Sequence, residues 1–157
     1  MESTHEKLIE VLNDLVQINN DRMEGYRKAI EDTKSSGFDY NNLFNQMIGQ
    51  SSKYKQELIN EINSKGGDAE RESTTNSGKI YRMWMDVKSA FAGKNDKSAL
   101  ELCEFGEDAA QKAYDEALKS SVEIPASTRG LLVTQKDELK KSHDLIKAHR
   151  DMEKAKA

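Results

Sequence analysis

Apolar residues return every three or four positions along most of the chain, the spacing that lines one face of an α-helix. Leu8, Leu12, Leu15, Asn19, Arg22, Tyr26 and Ile30 form the first such stripe. Ser3-Thr4-His5-Glu6 precedes it as a capping box, with Glu6 reaching back to the cap amide, and Gly37 supplies the stop. The second stripe is Phe44, Met47, Ser51, Tyr54, Leu58 and Glu61 or Ile62, capped by Asp39 and ended by Gly66-Gly67. Asn95-Asp96 caps a third, made of Leu100, Cys103, Glu107, Ala110, Tyr114 and Ala117. Pro125 suits the first turn of a last helix faced by Leu132, Leu139, His143 and Ile146.

The pattern changes between the second and third stripes. Asp68 to Ser77 is polar and aperiodic and reads as a mobile loop. Ile80, Trp84, Val87 and Phe91 then define a shorter amphipathic helix closed by Gly93, whose apolar side is expected to dock on the outside of the bundle. The prediction is an all-α, four-helix bundle forming a single domain over residues 1–157, with a long crossover at about 66–95. A crossover of that length can span a bundle. It is needed when the two middle long helices run the same way, and not in an up-down-up-down arrangement.

Composition supports this class: 33% of residues are charged, 6% are aromatic, and there is a single Pro. A net charge of −4 argues against bulk attraction to nucleic acid. Even the basic stretch Lys136 to Arg150 has acids between its bases, as a solvated helix face does. No apolar run approaches membrane-spanning length, and Met1 to Lys7 has no apolar signal region. The expectation is a cytoplasmic protein with neither membrane nor nucleic acid as a partner. Cys103, the one cysteine, excludes an internal disulfide and lies on an apolar stripe, so a buried, inert thiol is expected. A homodimer and an unknown protein partner both remain open.

Each long stripe carries polar residues near mid-length: Asn19 and Arg22, Ser51 and Tyr54, Glu107, and His143. Burying a carboxylate or an imidazole is costly unless it is paired, hydrogen-bonded or metal-bound. Polar groups from all the long helices at similar depth therefore imply a shared polar layer. Glu107 needs a counter-charge there, from Lys140 or Arg22. The arrangement expected is Glu107 beside Lys140 and His143, while His5 and His149 are expected to face solvent. Asn19 and Tyr26 repeat the spacing of Glu107 and Tyr114, with Ala29 and Ala117 following, so the first and third helices look like relatives.

The segments Leu12 to Asp21, Trp84 to Ala90, Gly106 to Ala110 and His143 to Ala148 resemble a family of small bacterial ferritin-like proteins filed as a domain of unknown function. The resemblance runs from about Lys7 to Arg150 and implies a ferritin-like four-helix bundle. Ferritin relatives place one Glu on each of two helices and a Glu-x-x-His on each of the others, around two metal ions. On this chain those positions fall on Asn19, Ser51 and Tyr54, Glu107, and Lys140 and His143. Glu107 and His143 alone keep a ligating type, and they are the candidate metal ligands. A one-turn shift in register would bring in Glu24, Glu57 or Glu104, but no Glu-x-x-His occurs in the chain.

Three functions follow as expectations. The first is a non-enzymatic bundle with a degenerate di-metal site and no cofactor, stress-associated by family analogy. The second is an iron or manganese protein with an unorthodox core site using Glu107 and His143. The third is a small-molecule-binding bundle. No nucleophile–base motif, phosphate loop or zinc-type cluster supports another enzyme class, and no catalytic residue is assigned.

Overall fold

The computed structural model describes residues 4–30, 40–69 and 96–155. They form four helices: α1 Thr4–Ile30, α2 Tyr40–Ser64, α3 Asp96–Lys119 and α4 Ala126–Ala155. No strand occurs among the described residues. The caps assigned to Ser3, Asp39 and Asn95, the stops at Gly37 and Gly93, and the docking helix carrying Trp84, Val87 and Phe91 lie outside the described residues, as do residues 70–77 of the expected loop.

The last turn of α2 closes as its glycines predict. Gly66 N–H donates to Asn63 O at 3.0 Å and Gly67 N–H to Ile62 O at 3.0 Å, with Gly66 at φ +78°. This paired pattern satisfies carbonyls the helix leaves open, and the positive φ suits a residue without Cβ. Asn13 Nδ2 then donates to Asp68 O at 3.0 Å, tying the start of the following segment to α1. At the other helix start, Arg129 N–H donates to Pro125 O at 2.9 Å, so Pro125 lies just ahead of the first turn of α4.

Cross-helix contacts set the directions. Arg22 reaches Ser51 while Asn13 reaches Asp68, so α1 and α2 are antiparallel. Arg22 meets Glu107 and Asn19 meets Tyr114, so α1 and α3 are antiparallel too. Gln50 meets Ser142 and Glu61 meets Thr128, which makes α2 and α4 antiparallel. It follows that α2 and α3 point the same way. Ser64 ends α2 at one end of the bundle, and Asp96 begins α3 at the other.

Residues spaced by alternating steps of four and three turn inward on every helix. On α4 they are Thr128, Leu132, Gln135, Leu139, Ser142, Ile146 and His149. The core they build is divided in two. Leu8, Leu12, Leu15, Leu58, Ile62, Tyr114, Leu132 and Leu139 belong to one apolar cluster. Tyr26, Tyr40, Phe44, Met47, Leu100, Cys103 and Ile146 belong to the other. Burial along α1 goes all the way round between Leu15 and Met23, and includes Gln17, Asn20 and Asp21.

Two expectations about faces are corrected. Ser142, not His143, continues the inward stripe of α4, and His143 is only partly buried at the α3–α4 edge. His149, expected in solvent, is 8% exposed and packs edge-on against Tyr40, ring centroids 5.8 Å apart.

Candidate functional site

The polar layer between the two apolar clusters is centred on Arg22. Its helix presents this position to α2 and α3 at once, and the side chain is 1% exposed. Arg22 Nε donates to Glu107 Oε1 of α3 at 2.7 Å. Nη1 donates to Ser51 Oγ at 2.9 Å and to Met47 O at 3.1 Å, and Nη2 donates to Gln50 Oε1 at 3.1 Å, all on α2. Ser142 Oγ of α4 donates to the same Gln50 Oε1 at 2.8 Å. One guanidinium thus links α1 to α2 and α3 directly, and to α4 through Gln50.

Glu107 is fully buried. Its Oε1 also accepts from Tyr26 O–H at 2.7 Å, and its Oε2 has no hydrogen-bond partner among the described residues. Burial is the largest influence on Arg22 and opposes its charge, but the Glu107 carboxylate together with the Tyr26 and Tyr54 hydroxyls outweighs it and holds the guanidinium above its ordinary pKa. Burial, reinforced by Glu107, pushes the Tyr26 hydroxyl well up. Burial and then Glu107 do the same to the Cys103 thiol, which suits an inert residue.

A second line of hydrogen bonds lies on the Leu15 side of the layer. Asn19 Nδ2 donates to Tyr114 Oη at 3.0 Å, and Tyr114 O–H donates to Gln135 Oε1 at 2.6 Å. Gln135 Nε2 donates to Glu57 Oε1 at 3.1 Å. Burial, with Glu138 adding to it, pushes the Tyr54 hydroxyl up to about 12.

On the outside, α3 and α4 gather another group. His143 Nε2 lies 2.7 Å from Asp108 Oδ1 and 4.0 Å from Glu104 Oε1, while Nδ1 lies 3.1 Å from Asp144 Oδ1. Arg150 Nη1 donates to Glu104 Oε2. Ligand-type atoms of Glu104, Asp108 and His143 all fall within 4.8 Å of one another.

The structure therefore gives the two candidate ligands different surroundings. Glu107 faces Arg22 and Tyr26 inside, and His143 faces Asp108, Glu104 and Asp144 outside. The expected partnership of Glu107 with Lys140 is corrected: Lys140 is 69% exposed and pairs with Asp144 at 3.8 Å. Arg22 supplies the counter-charge. Asn19, Ser51 and Tyr54 are all buried, as their stripes require. Gln50, Gln135 and Ser142 escaped the sequence pattern. For Gln135 and Ser142 the signal was present, because each falls seven residues from another inward position of α4.

Residues 7–120 match the model of a family described as Domain of unknown function (DUF2383). No curated protein matches the chain.

Proposed function

The chain belongs to the DUF2383 family, and we propose that its bundle serves as a ferritin-like, non-enzymatic module in which a guanidinium occupies the place of an internal metal centre. The ferritin-like reading is supported by the common direction of α2 and α3, which two hairpins joined by a crossover require. The observation that carries the functional reading is the Arg22 guanidinium, bonded to Glu107, Ser51 and Gln50 at mid-bundle.

A pair of iron or manganese ions does not fit these residues. Such a centre takes several carboxylates to bridge and neutralise the metals and imidazoles at the terminal positions. Among the described residues, the guanidinium meets one carboxylate, whose Oε1 already accepts two hydrogen bonds, and its fixed positive charge repels a cation. No described histidine joins it. The layer's chemistry is structural, and the module acts through its outer surface by binding another protein. A stress-associated role is what the family resemblance adds.

The test is metal analysis and peroxide or ferrous-iron turnover of chain purified without chelators. Expected are no turnover and no metal whose retention depends on Glu107. Two iron or manganese ions per chain, lost in Glu107→Gln, would overturn the reading.

A further inference from the structure

Glu104 and Asp108 stand one helical turn apart on α3, so both carboxylates rise from the same face. His143 comes to them from α4, which crosses antiparallel beside it. The partners behind these groups orient them. Asp144 Oδ1 holds the Nδ1 side of the imidazole at 3.1 Å, which turns Nε2 toward Asp108 and Glu104. Arg150 holds Glu104 Oε2, which leaves Oε1 facing the same Nε2. A histidine steadied by a carboxylate on its far nitrogen is the arrangement that selects the metal-binding nitrogen in protein sites.

We propose that Glu104, Asp108 and His143 bind one divalent first-row transition-metal ion on the surface of the α3–α4 hairpin. The three donor atoms, Oε1, Oδ1 and Nε2, converge from two helices that the core holds in register, and they lie within 4.8 Å of one another. Two carboxylates and one imidazole suit Zn(II), Fe(II) or Mn(II). An ion entering here binds the neutral imidazole, and the carboxylates of Asp108, Glu104 and Asp144 offset its charge against the Arg150 guanidinium that holds Glu104. Glu104 and His143 are 15% and 19% exposed while Asp108 is 57% exposed, so the ion arrives from the Asp108 side. A cleft of about 200 Å³ lined by Glu101, Glu104, Phe105, Asp108 and Arg150 borders the two carboxylates and admits water beside them.

This site is independent of the filled core layer. The experiment titrates full-length, chelator-stripped protein with Co(II), followed by its visible absorption, and with Zn(II), followed by calorimetry. One ion per chain is expected. His143→Ala and Asp108→Asn should abolish it, Asp144→Asn should weaken it about tenfold, and His5→Ala should leave it intact. Asp108, His143 and Asp144 lie outside the core, and circular dichroism checks that each variant is folded. Absence of binding at millimolar metal overturns the proposal, as does binding that survives both His143→Ala and Asp108→Asn. Loss in Glu107→Gln with retention in His143→Ala would overturn this site and the filled-core reading together. Loss in His143→Ala alone supports this site and leaves the core reading standing.

Discussion

Arg22 and Glu107 meet between α1 and α3 with Nε 2.7 Å from Oε1, and neither side chain is more than 1% exposed. Two desolvated charges at this depth hold each other in place, so removing either leaves the other buried alone. The pair also lies between the two apolar clusters and joins α1 to α3 at one register.

Glu107→Ala is expected to cost about 3–5 kcal/mol in urea unfolding. Glu107→Gln should cost less, because an amide oxygen still accepts from Arg22 and Tyr26. Arg22→Met combined with Glu107→Leu should recover most of the loss, since a well-packed apolar pair avoids the desolvation of both charges. An unchanged unfolding midpoint for Glu107→Ala would show that the pair is hydrated.

Tyr114→Phe removes the hydroxyl between Asn19 Nδ2 and Gln135 Oε1. Both amides then remain buried with a bond unmade, at a cost of about 1–3 kcal/mol. Thermal unfolding of Tyr114→Phe against the parent reads the difference. The paired variant Tyr114→Phe with Gln135→Leu should regain part of it, and additive losses would contradict the linkage.

Stability should decline on mild acidification through His149. Burial lowers its pKa, with the Glu153 carboxylate working against that shift, while Tyr40 packs on its ring and donates to Glu153 at 2.8 Å. The unfolded chain then takes up a proton at about pH 6.5 that the folded chain resists until a lower pH. The contribution is complete above the unfolded value and drains away as pH falls toward the folded one. His149→Gln should flatten this part of a stability-against-pH curve between neutral and weakly acidic pH. A parent curve that matches the variant's would remove His149 from the account.

Gly66→Ala should cost about 1–2 kcal/mol, because Gly66 sits at φ +78° and an L-residue is strained there. Nothing lies within 4 Å of the added Cβ, so the loss would be conformational and not steric. Gly66→Asn should be milder, since Asn tolerates that region better. Chemical denaturation of the two variants separates these cases.

Much of the bundle was legible because helical periodicity is local. Leu100, Cys103, Glu107, Ala110, Tyr114 and Ala117 were expected inside and are all buried. The inwardness of Arg22, Asn19 and Ser51 followed from the same spacing, despite their polarity. The α4 face misled at one point. His143 and Ser142 both fit between Leu139 and Ile146, because a helix step can be three or four residues. Small Ser142 turns inward to meet Gln50, and His143 turns toward the acids of α3.

By itself, the sequence determined the apolar faces of α1, α2 and α3, where α2 stops, and that a polar layer interrupts the core. Those properties depend on neighbours within a few residues. Tertiary structure alone decided the pairing inside that layer. Lys140 and Arg22 were both available cations on paper; the antiparallel register of α1 on α3 brings Arg22 to Glu107, and Lys140 stands on the outward face of α4 beside Asp144. The cluster of Glu104, Asp108 and His143 was decided the same way, since its members come from separate helices. Periodicity carries no information about how one helix slides along another, and that non-local register is what turns buried polar residues into specific partners.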